Sequence, residues 1–363
     1  MANGPALSTA RSGEMLDVLN ANQFEGEFID QEVVKQAEEN FYRGGPPKWL
    51  NFYISEQAES DGTGTPFITR DGYDKLKEQI LQQKKFPGIS TVKLFHQPGC
   101  GGTTLAMKVL WDLRKTFRCA VLTGSTSDIT NVAKEVVHLF TAGSQQKTVL
   151  LLVNDEQILE NLQDNIMVKI AEQQRVKRMP VVIFLNCVRK DALLQNSDHV
   201  VLQKELSNTE KQKFDEKNKE LCRKYSDKCN QFHGFNIMHT NFSKAYVEQV
   251  CEVFSTIRRT NKPKKTQLAA FISLLNAYVP GSYLLESQCL DFIKHDDYIN
   301  GDFSLEDRME PFSHLIITFQ EASGKKVCMA HHMIAQCCTE LMVEAGVARS
   351  NTAKNQIDHF VQR

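Results

Sequence analysis

The segment His96-Gln-Pro-Gly-Cys-Gly-Gly-Thr-Thr-Leu-Ala106 is the strongest indication of the architecture of the first half of this chain. It follows the apolar, β-rich segment Thr91–Phe95 and runs into a segment whose apolar residues recur at helical spacing. A strand, a glycine-rich turn and a helix in this order form the context in which phosphate-binding loops occur. Backbone N–H groups in such a turn and the positive end of the helix dipole attract an anion. The stretch therefore predicts a loop that binds the phosphates of a nucleotide.

Two letters of this loop depart from the Walker A pattern GxxxxGK[ST]. His96 stands in the place of the first glycine, and Gly102 in the place of the lysine that neutralises phosphate charge. Thr103 keeps the hydroxyl that holds Mg²⁺ in such loops. Losing one strong phosphate contact costs about 3–4 kcal/mol of transition-state stabilisation, so we expect weak or no hydrolysis and assign no catalytic residue. The alternative to a phosphate-binding loop is a glycine-rich turn that binds no ligand. The predicted nucleotide contacts come from the loop and the first helical turn: Gly99, Cys100, Gly101, Gly102, Thr103 and Thr104.

Strand and helix patterns alternate from about residue 90 to residue 260. Several strand segments are continuously apolar, as expected for parallel strands buried on both faces. The predicted strands are 91–95, 119–122, 148–153, 181–185 and 200–202. The predicted helices are 128–140, 157–174 and 208–225, and a capping box of Ser207 and Glu210 opens the last one. This alternation predicts a doubly wound parallel α/β sheet of the P-loop NTPase type, with ligands at the carboxyl ends of the strands.

Polar residues at two strand ends are candidate partners of the loop. Asp155 follows the strand 148–153 and is the predicted Mg²⁺ ligand together with Thr103, in the manner of a Walker B strand. Asn154 occupies the position where the first carboxylate of that pattern falls, and a solvated strand-end acid is the alternative for Asp155. Arg189, after the next strand, is the candidate to sense the terminal phosphate and to replace the missing lysine's charge. A surface arginine is the alternative.

The last hundred residues predict helices followed by a hairpin-like strand pair, the order of a winged-helix-like α+β module. A helix begins at about His331, which is the candidate to reach the β-phosphate; simple packing of this histidine is the alternative. Four parts are predicted along the chain: a polar, partly helical lead-in (1–45), a segment before the NTPase-like domain (46–89), that domain (90–260), and the helical plus winged-helix-like domain (261–363).

Composition limits the function classes. The chain has 363 residues, 41% of them hydrophobic and 24% charged, and a net charge of −1, which gives no global attraction to nucleic acid or membrane. Ten scattered cysteines and the lack of a long apolar span predict a cytoplasmic protein with reduced thiols and no membrane span. Cys222, Cys229 and His233 have poor spacing for zinc. Lys262-Pro-Lys-Lys265 predicts a solvated basic linker, with a nucleic-acid or lipid contact as the alternative.

The order of these motifs resembles the STAND class of signal-transduction ATPases. The pieces are Phe67-Ile-Thr-Arg-Asp71 before a helix, the glycine loop, the apolar Asn-Asp-Glu strand and Leu202-x3-Leu206-Ser207-x2-Glu210. The loop, with Trp111-Asp-Leu-Arg-Lys115 and Phe41-Tyr-Arg-Gly-Gly45, also resembles the sterile alpha motif domain-containing protein 9 / 9-like family from about residue 41 onward. This resemblance implies a cytoplasmic, interferon-linked antiviral and growth-restricting factor, in which a STAND-like module regulates an RNA-cleaving, translation-silencing effector. Asn154 departs from that family's usual Asp-Asp.

Motif order and resemblance together predict a nucleotide-dependent switch. ATP or ADP, with Mg²⁺, would sit between the α/β domain and the winged helix, and its exchange would control self-association and contacts with other domains or protein partners. A switch needs only different affinities in two conformers, so a damaged Walker loop is tolerable. Two alternatives stay open: a slow ATPase in which Arg189 or a neighbour's Arg258 supplies charge, and a nucleotide-free scaffold that contacts protein, or RNA through Lys264 and Lys265.

Overall fold

The computed structural model describes residues 15–62, 67–123, 128–143, 145–172, 179–190, 199–256, 263–294, 304–321 and 324–345. The strands in these ranges are β1 (Leu16–Leu19), β2 (Gly88–His96), β3 (Arg118–Leu122), β4 (Val149–Val153), β5 (Pro180–Arg189), β6 (Val200–Leu202), β7 (Leu284–Leu285), β8 (Ile316–Glu321) and β9 (Gly324–Met329). The helices are α1 (Gln31–Arg43), α2 (Trp49–Asp61), α3 (Tyr73–Gln83), α4 (Gly102–Leu113), α5 (Ile129–Thr141), α6 (Leu159–Glu172), α7 (Asn208–Tyr225), α8 (His233–His239), α9 (Lys244–Cys251), α10 (Lys264–Tyr278), α11 (Glu286–Ile293), α12 (Leu305–Arg308) and α13 (His332–Glu344).

The chain forms two compact units whose sequences interleave around α2. The first unit takes residues 1–28, 52–57 and 67–204, and the second takes 29–51, 58–66 and 205–363.

The first unit is built on a six-stranded sheet with the order β1-β3-β4-β5-β2-β6. The strands from β2 to β6 pair in parallel, and β1 pairs antiparallel with β3 at the edge. The sequence patterns did not predict β1, which lies in the polar lead-in. The register pairs His96 with Arg189 and Val153 with Asn186. The carboxyl ends of β2, β4 and β5 therefore lie side by side. The predicted doubly wound parallel α/β fold is confirmed.

Both faces of this sheet are covered, which explains the continuously apolar strands. All five residues of β4 are buried, and alternation sends Leu151 toward one core while Leu152 points to the other face. The first core includes the apolar faces of α5 and α6. On α4, Trp111 is fully buried, and the Arg114 guanidinium lies 4.0 Å from the centre of its ring. Burying one large apolar side chain stabilises the fold by about 1.5–3 kcal/mol, so these strands could not stay exposed.

The second unit combines a helical part with a small antiparallel sheet in the order β7-β9-β8. The predicted capping box opens α7, since the Ser207 hydroxyl accepts from the Glu210 N–H and the Glu210 carboxylate accepts from the Ser207 N–H. The small sheet with α10, α11 and α13 forms the predicted winged-helix-like module.

One prediction about this module was wrong. Lys264 and Lys265 do not belong to a solvated linker, because α10 begins at Lys264. The Lys264 ammonium lies 4.6 Å from the centre of the Phe292 ring, and Lys265 donates to the Glu310 carbonyl at 2.7 Å. Lys262, the first residue of the predicted linker, and Arg258 lie outside the described residues.

Candidate functional site

The glycine-rich loop has the backbone of a phosphate-binding turn. Gly99 and Gly101 have φ angles of +77° and +88°, a left-handed conformation that favours glycine. Gly101 is the N-cap of α4, and a glycine at this position offers no side chain to cap the start of the helix. Thr103 and Thr104 are half-buried in the first turn. The predicted contact residues 99–104 therefore lie together at a helix end suited to an anion.

The two departures from the Walker pattern are physically coupled. A Cβ atom built on Gly102 would lie 2.2 Å from His96 Cγ, 2.4 Å from Cδ2 and 2.6 Å from Nδ1. Carbon atoms in contact are normally ~3.5–4.0 Å apart, so the His96 ring excludes any side chain at position 102. The histidine at the first position thus requires glycine where the Walker lysine would stand.

The His96 ring is a neutral, buried group. Its side chain is 3% exposed, and Nδ1 lies 3.0 Å from the Gln97 carbonyl oxygen. Because a carbonyl only accepts, Nδ1 carries the proton and Nε2 carries the lone pair. Nε2 has no hydrogen-bond partner within the described part of the chain. Burial lowers the pKa of His96, and the nearby charge of Arg189 lowers it further. His96 therefore does not replace the charge of the missing lysine.

A buried arginine holds the loop in place. Arg70 is 5% exposed, and its guanidinium donates to the carbonyls of Cys100 at 2.6 Å and Gln203 at 2.7 Å. It thereby joins the loop to the segment that follows β6. The Cys100 side chain is buried, and burial raises the pKa of its thiol, so only the backbone of this residue is suited to contact a phosphate. Arg70 lies in the motif Phe67-Ile-Thr-Arg-Asp71, from which no role was predicted for it. The only signal in the sequence is a single arginine close to two apolar residues.

The acidic residues after β4 are engaged in local contacts. Asp155 is half-buried, and its Oδ1 accepts from the Gln157 N–H at 2.9 Å, which caps the turn before α6. Glu156 pairs with Lys93 of β2 at 2.5 Å, a contact that sequence reasoning missed. The hydrogen bond from Lys93 lowers the pKa of Glu156. Across the described residues, no group of three His, Cys, Asp or Glu side chains is arranged to hold a metal ion. The Mg²⁺ role of Thr103 and Asp155 stays a prediction.

The end of β5 contributes two polar side chains at this edge of the sheet. Arg189 is its last residue and lies opposite His96 in the register. Asn186 is fully buried, and its Nδ2 donates to the Val153 carbonyl at 3.1 Å, which ties β5 to the end of β4. Among the described residues, Asn186 Oδ1 has no hydrogen-bond partner. The phosphate-sensing role of Arg189 stays a prediction.

His331 belongs to the second unit. It is the N-cap of α13, and its Nδ1 accepts from the Met333 N–H at 3.1 Å. Helix capping accounts for this contact, and its predicted reach to a β-phosphate stays untested.

Comparison with known sequences places the chain beside one group of proteins. No family model matches it. Human sterile alpha motif domain-containing protein 9 is 35% identical over 352 residues, which cover 90% of this chain and 22% of that protein. Human sterile alpha motif domain-containing protein 9-like is 38% identical over 325 residues, 85% of this chain and 20% of that protein. The mouse 9-like protein is 34% identical over 359 residues, 93% of this chain and 22% of that protein. The predicted resemblance is confirmed, and the chain spans about a fifth of the length of these curated relatives.

Solved structures give weaker likenesses. Cdc6p from Pyrobaculum aerophilum is 11% identical with a TM-score of 0.30, and the match covers 90% of this chain and 99% of that chain. The Aeropyrum pernix ORC2 protein in its ADPNP-ADP complexes is 9% identical with a TM-score of 0.31, covering 90% and 98%. Likeness at this level identifies no function. Separately, no helix among the described residues is long and apolar enough to cross a membrane.

Proposed function

We propose that this chain, which is homologous to one segment of the sterile alpha motif domain-containing protein 9 and 9-like proteins, is a nucleotide-binding regulatory module. It binds ATP or ADP through the loop 99–104 and hydrolyses it weakly or not at all. Within a cytoplasmic, antiviral and growth-restricting protein, nucleotide occupancy would set the conformation that self-associates or contacts other domains.

One observation carries this proposal: the loop keeps the phosphate-binding backbone while His96 excludes a lysine. The left-handed glycines and the start of α4, whose N-cap is a glycine, are suited to donate N–H groups to phosphate oxygens. Hydrolysis additionally needs a group that neutralises the transferring phosphoryl group and one that polarises water. The neutral His96 ring does not supply the first, and Glu156 is held by Lys93. Binding without rapid turnover is what these residues support.

The nucleotide-free scaffold remains the second candidate, and the buried His96 ring favours it. The ring fills space next to Gly102 that a Walker loop leaves to the lysine side chain. If the ring also blocks the phosphates, the loop is only a structural turn.

The deciding experiment is thermal unfolding of the full chain with ATP, ADP, GTP or no nucleotide, each with and without Mg²⁺. A ligand at about a hundred times its dissociation constant stabilises the folded state by roughly 2.7 kcal/mol. We expect a stabilising shift with an adenine nucleotide, and turnover close to the buffer background. An unchanged melting temperature with every nucleotide would favour the scaffold.

A matched pair of variants separates binding from folding. Thr103→Glu places a carboxylate in the first turn of α4, where the helix dipole favours it, but the same charge repels phosphate. Thr103→Gln is nearly isosteric and uncharged. We expect both variants to fold. Thr103→Glu should lose the nucleotide shift altogether, whereas Thr103→Gln, which removes only the hydroxyl, should keep the part of the shift that does not need Mg²⁺. If both variants keep the full shift, nucleotide binds elsewhere.

A further inference from the structure

Two cysteines near the end of α7 lie in contact although nothing in the nucleotide site uses them. The Sγ atoms of Cys222 and Cys229 are 3.1 Å apart, while both thiols are free. Cys222 is exposed in the last turns of α7, and Cys229 is partly exposed in the short 3-10 helix Ser226–Gln231. A disulfide bond is ~2.05 Å long, so the two sulfur atoms need to approach by only about 1 Å.

The surrounding backbone presents these thiols to each other. The chain reverses at Ser226, which has a φ angle of +48°, so residues seven apart in sequence become neighbours in space. The Cys229 carbonyl accepts from the Phe232 N–H at 3.2 Å and from Asn236 Nδ2 at 3.0 Å, which holds Cys229 against the start of α8. Cys222 can therefore meet Cys229 by turning its own side chain.

A metal site is not the use of this pair. His233, the third residue of the sequence cluster, is 4% exposed, and its Nδ1 bonds to the Tyr246 hydroxyl at 3.0 Å. Two thiols that face one another at the surface are instead suited to two-electron oxidation.

We propose that Cys222 and Cys229 are a reversible oxidation site, which a peroxide converts to an intramolecular disulfide that fastens the reversal between α7 and α8. The exposed Cys222 thiolate attacks one oxygen of hydrogen peroxide, the O–O bond breaks, and water leaves after protonation of the hydroxide. Cys229 then attacks the resulting sulfenic sulfur, the S–O bond breaks, and a second water leaves with the Cys229 proton. The two thiols lose two electrons and one peroxide gains two.

The surroundings of the two thiols indicate which of them reacts first with peroxide. Burial raises the pKa of Cys229 to about 11, and the hydrogen bond with Cys222 adds to the shift, so Cys229 is a poor first nucleophile. Cys222 is the more exposed of the two thiols and is therefore the one that a peroxide in solution reaches first. Cys222 therefore attacks peroxide and Cys229 resolves the intermediate.

The test treats the full chain with one equivalent of hydrogen peroxide, counts alkylatable thiols after denaturation, and maps bridges on unreduced peptides. We expect the count to fall by two from the ten cysteines of the chain, with the bridge between Cys222 and Cys229, and dithiothreitol to restore it. In Cys229→Ser, dimedone should trap a sulfenic acid on Cys222. In Cys222→Ser, Cys229 should stay reduced.

Three results would overturn the proposal: an unchanged thiol count, a bridge that joins two chains through Cys222, or oxidation of the buried Cys251 at the same peroxide concentration. Both serine replacements lie at the surface or near it, so circular dichroism of each variant shows directly whether a negative result comes from misfolding. Cys222 and Cys229 belong to the second unit and the loop 99–104 to the first, and the test is run without nucleotide, so its failure and the failure of nucleotide binding are distinguishable.

Discussion

Replacing Gly102 by alanine places a methyl group in a volume that the His96 ring already fills. The added Cβ would lie 2.2 Å from His96 Cγ, far inside the ~3.5–4.0 Å of a normal carbon contact. The ring is buried and held by its bond to the Gln97 carbonyl, so it cannot yield without losing that bond. Overpacking costs about 1–3 kcal/mol and the hydrogen bond about 1 kcal/mol. We expect Gly102→Ala to destabilise the first unit by roughly 3 kcal/mol.

The same change should be harmless once the ring is gone. In a His96→Ala background the methyl group has room, and alanine is favoured over glycine inside a helix by up to about 1 kcal/mol. The cycle of wild type, two single variants and the double variant therefore predicts a coupling free energy of roughly 3–4 kcal/mol.

Urea unfolding followed by the fluorescence of Trp111 measures this cycle. Trp111 is fully buried in α4, and Trp49→Phe in every variant removes the second tryptophan of the chain. If the slope of the free energy of unfolding against urea concentration is the same in all four proteins, the unfolding midpoints give the four free energies of unfolding. An equal loss on Gly102→Ala in both backgrounds would refute the steric exclusion by His96.

A lysine version of the cycle links this stability effect to the proposed function. His96→Gly with Gly102→Lys restores the full pattern GxxxxGK[ST]. A hydrogen bond to a charged group contributes about 1.5–3 kcal/mol, so this double variant should bind ATP roughly ten- to a hundredfold more tightly than wild type. Gly102→Lys alone should be destabilised like Gly102→Ala. No gain in affinity by calorimetry would place the phosphates away from residue 102.

Three further predictions concern stability, turnover and pH. Arg70→Lys should loosen the loop, because a lysine cannot donate to both carbonyls that Arg70 joins. We expect amide hydrogen exchange in residues 97–104 to become about tenfold faster or more, while exchange in α5 stays unchanged as the control. Glu156→Gln removes a half-exposed ion pair with Lys93, and we expect less than ~1 kcal/mol of destabilisation and ATP turnover that stays at the buffer background. Wild-type turnover above that background which Glu156→Gln abolishes would make Glu156 catalytic. Burial lowers the pKa of His233 to about 3, whereas the histidine of the unfolded chain titrates near its usual value of about 6.5. The free energy of unfolding is therefore highest above pH ~6.5 and decreases as the pH falls toward 3, because the unfolded chain binds the proton first. Between pH 7 and 5 wild type should lose about 2 kcal/mol more than His233→Asn by urea midpoints, and equal losses would contradict this assignment.

Local patterns determined the elements that carry the site. Apolar runs predicted β4 and β5 because strands buried on both faces of a parallel sheet need apolar side chains at every position. Glycine spacing predicted the loop because only glycine readily adopts the left-handed angles at 99 and 101. The capping box predicted the start of α7, since its two hydrogen bonds form within three residues. β1 was not predicted, because its four residues, two of them exposed, show no alternation of apolar and polar side chains. These residues form a strand only because they pair with β3.

The residues alone were therefore enough to predict a strand, a glycine-rich loop and a helix, and to show that the Walker lysine is missing. The consequence of the missing lysine is visible only in the folded chain. His96 stands six residues before Gly102, yet only the folded turn brings its ring onto the helix start. Arg70 reaches a carbonyl 133 residues away, and Lys93 holds a carboxylate 63 residues away. Such contacts join segments that become adjacent only after the sheet has formed. They depend on side-chain volume and hydrogen-bond geometry between residues far apart in the chain, and these produce no periodic pattern in the sequence.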